Sequence, residues 1–342
     1  MDNINFSISN YKGYEDKVLH IRNQNRPEMV SRTYLDWRYL NDSSLPPVIF
    51  WVQQFDGTIV GMASLIFRRF WMNNEVHDFA VLGDISLNSE LRGKGISKEL
   101  FKVINSYIES HNCYAFVMPN FIASKSLSST GWVTKERFVS YVYIIDPIKK
   151  LLQYLPDRKE VVLIGKLYRY LINYKISFKK TLNYSMQYSN GFDESFDALW
   201  IDLPKQGVMR DRCASSLRWR YGNYPNKKYS VIKFLKGDLF IGYIIYKIDN
   251  NNICIVYDIL AKKEEDICPI LSLFLKHQLK NKMISMVRIP MNENNYYSNS
   301  LKRSGFMRRD ENNIIQVYAA SSYYLRQLNT YRWFNTAGDK DV

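Results

Sequence analysis

The sequence predicts an α/β fold, a mixed sheet flanked by helices, built twice in tandem. Two observations carry this reading. The front part of the chain runs through three strands, a helix, a strand, a helix and a strand. A series of residue matches then returns in the same order, at offsets near 174 to 182. The length, 342 residues, suits two domains at roughly 100–200 residues each.

The elements follow from local pattern. Pro47 to Gln53 is an apolar, β-branched run and reads as a strand. Asp56-Gly57 makes a turn, and Thr58 to Phe70 follows as a second strand. Glu75 to Leu87 is a third, rich in Val, Ile and Phe. Gly93 and Gly95 interrupt, and Ser97 to Ser110 has helical periodicity through Leu100, Phe101, Ile104 and Ile108. Tyr114 to Met118 is a short strand. Ile122 to Thr130 is a short helix stopped by Gly131. Val139 to Ile145 is the last strand, closed by Asp146-Pro147.

From about residue 149 to 190 the pattern changes to a basic, amphipathic linker, with Leu167, Leu171, Tyr174 and Phe178 on one helical face. Such a stripe either packs on its own protein or lies on a membrane surface. Beyond it the repeat begins. Leu35-Asp-Trp37-Arg38-Tyr39 is echoed by Leu217-Arg-Trp219-Arg220-Tyr221, and Asp84-Ile85 by Asp258-Ile259. Gly131-Trp132 is echoed by Gly305-Phe306. An ordered series at nearly one spacing argues for duplication. The expected units are 1–148 and 191–342. Their shared Trp-Arg pairs favour a structural use over ligand clamping.

Composition narrows the function classes. Hydrophobic residues make up 46% and charged residues 23%, enough to bury a core. No run approaches the ~18 apolar residues of a membrane span. The first residues lack the basic head and apolar core of a secretory signal. Cys113, Cys213, Cys254 and Cys268 show neither framework nor metal-ligand spacing, so they read as reduced thiols in the cytoplasm, and no metal is expected. Residues 1–150 hold 17 Lys and Arg against 15 Asp and Glu, whereas the remainder holds 30 against 18. The positive charge therefore sits in the second half, where it would attract an anionic partner.

The chemistry lies where a strand meets a helix. Phe79 to Leu87 runs into Asn88-Ser-Glu-Leu-Arg92-Gly93-Lys94-Gly95-Ile96-Ser97, and a helix begins. Backbone N–H groups at a helix N-terminus make an anion site, and glycines let a diphosphate approach the backbone. The segment has neither the length nor the Gly-Lys-Ser/Thr end of a Walker loop. It also lacks the Gly-x-Gly-x-x-Gly dinucleotide fingerprint.

These residues resemble the GNAT superfamily of acyl-CoA-dependent N-acetyltransferases. Its donor signature, Arg/Gln-x-x-Gly-x-Gly/Ala after a central strand, is similar to Arg92 through Ser97, with Ser97 in place of the last small residue. Asn120, Ala123 and Gly131-Trp132 fit the family's second signature. The resemblance implies that the amides of Arg92, Gly93, Lys94, Gly95, Ile96 and Ser97 hold the CoA diphosphate. It also implies that the strand edge near Ile85 and Leu87 binds the pantetheine arm, with Asn120 nearby, and that an amine attacks acetyl-CoA directly. Asp84 is the expected general base, with His77 and Asp78 on the same strand as further possibilities. The position seven after Asn120, usually a Tyr acid in the family, is Leu127, so no residue carries over into that role.

The second unit has Lys262-Lys-Glu-Glu-Asp-Ile-Cys-Pro where the donor loop should fall, and its acidic residues would repel a diphosphate. It is expected to serve the acceptor. The expected activity is acetyl-CoA-dependent N-acetylation of a small-molecule amine, such as a phosphate-bearing, nucleotide-linked amino sugar of surface polysaccharide synthesis. Nucleic acid is not the expected partner. The alternatives are a Fem-type aminoacyl-tRNA transferase, an acyl-carrier-protein-dependent transferase, and a non-catalytic CoA-binding or membrane-peripheral adaptor.

Overall fold

Apolar strands of different lengths set the architecture of the computed structural model, which describes residues 4–40, 45–148, 160, 163–168, 170–171, 181, 183–225, 228–281 and 283–340. Strands β1 (Ile4–Asn10), β2 (Val48–Gln54), β3 (Ile59–Met72) and β4 (Glu75–Leu87) pair antiparallel in that order. Helix α3 (Ile96–Ser110) follows, then β5 (Tyr114–Val117), α4 (Phe121–Ser128) and β6 (Val133–Ile144). Helix α3 buries Leu100, Phe101, Ile104 and Ile108 against the sheet. Each such side chain contributes about 1.5–3 kcal/mol. Asn105 ties this helix to the next turn: its Nδ2 donates to Thr130 O at 2.7 Å, and its Oδ1 accepts from Trp132 Nε1 at 2.9 Å.

Two helices that periodicity did not announce lie between β1 and β2. These are α1 (Glu15–Asn25) and α2 (Arg32–Leu40). Helix α1 buries only Val18, Ile21 and Arg22, too narrow a stripe to stand out from a polar sequence.

The same succession returns in the second half. It runs β7 (Tyr184–Ser189), α5 (Glu194–Ile201), α6 (Ala214–Leu217), β9 (Ser230–Lys236), β10 (Leu239–Ile248) and β11 (Ile253–Ala261), then α7 (Ile267–Lys280), β12 (Met286–Asn292), α8 (Ser298–Arg303) and β13 (Met307–Ala319). A short β8 (Val208–Arg210) is inserted before α6. The chain then continues through α9 (Ser322–Thr330) and β14 (Trp333–Phe334). Of the predicted linker, Tyr174 and Phe178 lie outside the described residues; Leu167 and Leu171 are exposed.

All these strands belong to one mixed sheet, in the order β1-β2-β3-β4-β5-β13-β6-β12-β11-β10-β9-β7, with β8 and β14 to the side. The α/β class with flanking helices is therefore as predicted. The two last strands cross over: β13 pairs with β5, β6 pairs with β12, and they pair with each other at the centre. The spans 1–148 and 191–342 thus share a sheet, each supplying a strand beside the other's.

The repeated Trp residues meet face to face. Trp37 on α2 and Trp219, just after α6, stack with ring centroids 4.9 Å apart and planes 13° from parallel. Each indole Nε1 donates to the other's backbone carbonyl, at 2.8 and 2.9 Å. Arg68 lies 4.5 Å from the Trp219 ring and is fully buried. The tryptophan pair packs the two halves against each other, the structural use that its presence in both suggested. Trp219→Ala is expected to cost about 3–5 kcal/mol. Denaturant unfolding of the full chain checks this, and a loss under about 1 kcal/mol would mean that the pair does not hold the halves together.

Candidate active site

Pairing between β4 and β5 is brief. Only Phe79, Ala80 and Val81 lie against Tyr114, Ala115 and Phe116. Strand β5 ends at Val117, while β4 continues to Leu87. On the other side β13 pairs with β5 only from Gln316 to Ala319, and its residues 307–315 run on without β5. A gap one strand wide therefore opens between the last six residues of β4 and the first part of β13. The predicted loop stands at the end of this gap.

After Leu87 the chain makes a single 3-10 turn, Ser89–Leu91, and then Arg92 to Gly95 form an exposed turn into α3. Gly93 and Gly95 have φ of +79° and +80°, which suit glycine, and a Cβ at either would meet nothing within 4 Å. The space before these backbone groups is open. Helix α3 is 15 residues long, so its first-turn N–H groups and dipole favour an anion there. The Arg92 Nε donates to Leu87 O at 3.2 Å, fixing the loop to the strand end. Ser97 Oγ donates to Ser126 Oγ at 3.4 Å, tying the helix start to α4. Lys94 is exposed, and Ile96 and Ser97 are half-buried. Arg92 through Ser97 thus form one continuous surface. Ile85 and Leu87 sit on the strand beside it, partly buried against the α3 core. Asn120 lies just past the end of β5, where its Oδ1 caps α4 by accepting the Ala123 N–H at 2.8 Å.

Asp84 has a different setting from that expected of a base. Its side chain is buried toward α1 and α2. Arg22 Nε donates to Oδ1 at 3.2 Å, Tyr39 Oη donates to Oδ2 at 2.8 Å, and Arg38 Nε lies 3.3 Å from Oδ2. Burial pushes its pKa up, but Arg38, Arg26 and Arg22 outweigh it and hold the carboxyl below its usual range. A carboxylate so held is a poor proton acceptor. The Asp84 backbone has φ +46°, at a bulge where Met62 pairs with Ser86 and Ser64 with Gly83. Such a bulge redirects the strand next to the gap. The geometry gives Asp84 the role of an anchor for this bulge.

His77 and Asp78 lie at the other end of β4, roughly 30 Å from Leu87 at about 3.3 Å per residue. Leu127 is fully buried in the α3 core and offers no proton. Sequence reasoning missed Ser86, whose buried Oγ has no hydrogen-bond partner among the described residues. It also missed Glu311 on β13, across the gap, where Ser140 and Arg288 donate to its carboxylate. Neither has a local signature: a serine within a strand and a glutamate far along the chain gain meaning only from the sheet order. Among the described residues no group of three His, Cys, Asp or Glu side chains could hold a metal ion, and no helix is long and apolar enough to cross a membrane.

Residues 16–127 match the acetyltransferase (GNAT) family. No curated protein matches the chain. Among solved structures, a probable N-acyltransferase from Enterococcus faecalis V583 aligns with TM-score 0.68 at 9% identity, over 95% of this chain and 74% of its own. A GCN5-related N-acetyltransferase from Anabaena variabilis gives 0.65 at 12%, over 93% and 73%. The Saccharomyces cerevisiae N-myristoyltransferase, solved with myristoyl-CoA, gives 0.53 at 10%, over 93% and 79%. At these identities the structural likeness speaks to the fold. With the family match, it marks residues 16–127 as a GNAT-type acetyltransferase region within a fold that extends over nearly the whole chain.

Replacing Asp84 by Asn would leave two buried guanidinium groups without their carboxylate, at an expected cost of about 3–5 kcal/mol. Because its folded pKa is lowered, its contribution is complete above the unfolded value near 3.9 and is lost as the pH falls through the folded value. Urea unfolding of D84N and the parent at pH 7 and pH 3 checks both statements: the difference should be large at pH 7 and smaller at pH 3.

Proposed function

We propose that this protein transfers an acetyl group from acetyl-CoA to the amine of a small molecule. One observation carries the reading: a glycine-bent helix start, open in front of its amides, stands at the end of a gap between two strand edges. A diphosphate suits the Arg92–Ser97 amides and the α3 dipole, with Arg92 and Lys94 adding charge. An extended amide-bearing arm suits the β4 edge at Ile85 to Leu87, where no strand pairs on the gap side. The donor supplies an acyl group activated as a thioester. The chain's part is to align that group with an amine, and alignment supplies much of the rate in such transfers. The edge amides of β4 are placed to favour negative charge on a nearby carbonyl oxygen. With Asp84 committed to its arginines, water or a group lining the gap takes the amine proton.

The matching succession of elements in the two halves supports an origin by duplication, with units near 1–148 and 191–342. The second unit, which carries most of the positive charge, then serves the acceptor. A nucleotide-linked amino sugar of surface polysaccharide synthesis suits that charge. The four cysteines form no disulfide, in keeping with a cytoplasmic setting.

Calorimetry with coenzyme A and thiol release from acetyl-CoA over a panel of amines test this reading. Gly95→Glu adds both a left-handed backbone strain of about 1–2 kcal/mol and a like charge. It is expected to weaken coenzyme A uptake at least about tenfold, with the melting temperature lowered by only about 2–6 °C. Absence of uptake by the parent chain, or uptake indifferent to this substitution, would refute the assignment.

A further inference from the structure

The two repeats treat their Arg-Tyr pairs differently. In the first half Arg38 and Tyr39 both close on Asp84. In the second half the C-terminal segment intervenes. Arg220 Nη1 donates to Asp339 Oδ1 at 3.0 Å, and Asp339 also takes Arg212 at 2.6 Å. Asp258, the counterpart of Asp84, is held by Arg212 at 3.1 Å. The Nε and Nη2 of Arg220 and the Oη of Tyr221 are then buried with no hydrogen-bond partner among the described residues. Leaving buried donors unmatched costs about 1–3 kcal/mol each unless something else accepts from them.

Arg220 and Tyr221 are among the residues lining a cavity of about 280 Å3 in the second half, to which the first half adds Trp37. Trp37, Trp219, Tyr224, Tyr229 and Tyr257 contribute flat aromatic walls. Arg288, Glu311 and Lys340 contribute charge. Arg288 and Glu311 form an ion pair, so their charges offset. The Lys340 Nζ has no ion pair or hydrogen bond among the described residues and lies 4.8 Å from the centre of the Phe138 ring. The cavity therefore combines aromatic walls with a surplus of hydrogen-bond donors and positive charge. One of its lining residues, Glu311, lies on the part of β13 that runs beyond β5.

We propose that this cavity binds the acceptor of the reaction, an amine whose ring stacks on the aromatic walls and whose carboxylate or phosphoryl oxygens accept from Arg220, Tyr221 and Lys340. This rests on the transferase reading and names its acceptor class. The difference between the tyrosines is the physical reason: Tyr39 Oη donates to Asp84, whereas Tyr221 Oη and the neighbouring Arg220 Nη2 are buried with no hydrogen-bond partner among the described residues.

Two matched pairs of probes test it by calorimetry on the full chain with coenzyme A present. Phenylalanine is compared with phenethylamine, and glucosamine 6-phosphate with glucosamine. The anionic member of at least one pair is expected to bind at least about tenfold more tightly than its neutral-bodied partner. The pair that shows the preference tells carboxylate from phosphoryl recognition. Lys340→Gln should remove most of that preference while leaving the weaker partner unchanged. Tyr257→Ala should weaken both members of the pair. Coenzyme A uptake and melting temperature, measured first, should match the parent in both variants. Uptake intact with no anionic preference, or a preference that survives both substitutions, overturns the cavity assignment. Absence of coenzyme A uptake by the parent overturns the transferase reading instead.

Discussion

Strand β5 is four residues long and lies between two strands of 13. The length mismatch makes β4 and β13 continue past it with no described strand between their facing edges, and two strands separated by a missing third cannot hydrogen-bond to each other. What remains is a slot with backbone on both sides. The loop from Arg92 to Ser97 closes one end of that slot, and the bulge at Asp84 aims the β4 edge. Neither would matter for binding an extended ligand if β5 were as long as its neighbours.

The second strand bordering the slot comes from the other half of the chain. Because β6 and β13 exchange places, the slot beside β4 is walled by β13, a strand of the second half. This ties the halves mechanically as well as spatially. The stacked Trp37 and Trp219 do the same on the helical side, each indole bonding the other's backbone. A chain cut between the halves would thus lose a wall of its own site, so the second half supports the first even without a donor loop.

Buried charge is organised around the repeated aspartates. Asp84 is saturated by two arginines and a tyrosine. Asp258 shares Arg212 with Asp339, a residue from the C-terminal segment. Burial raises Asp258, and Arg212 offsets this only in part, whereas Arg212 and Arg220 outweigh burial at Asp339 and hold it low. Two units of similar plan therefore reach different electrostatic outcomes, because one receives an extra carboxylate and the other does not. That difference leaves Tyr221 Oη without a hydrogen-bond partner among the described residues, whereas Tyr39 keeps Asp84.

Much of this was legible in the chain. The strand into Leu87, the glycines at 93 and 95 and the apolar face of α3 are local features, and local backbone preference and periodicity disclose them. The repeated Leu-x-Trp-Arg-Tyr pointed to the two tryptophans that stack on each other across the halves. The weakly amphipathic α1 stayed hidden because so little of its surface is apolar. The role of Asp84 was legible only in part: its position on the strand was clear, but its partners Arg22, Arg38 and Tyr39 come from helices brought in by folding. Sequence alone thus determined the glycine-bent turn from Arg92 to Gly95 into α3, which depends on neighbours a few residues apart. Tertiary structure decided what stands opposite that loop, since the crossing of β6 and β13, the placement of Glu311 and the diversion of Arg220 to Asp339 all join residues distant in the chain, and no local pattern encodes such distances.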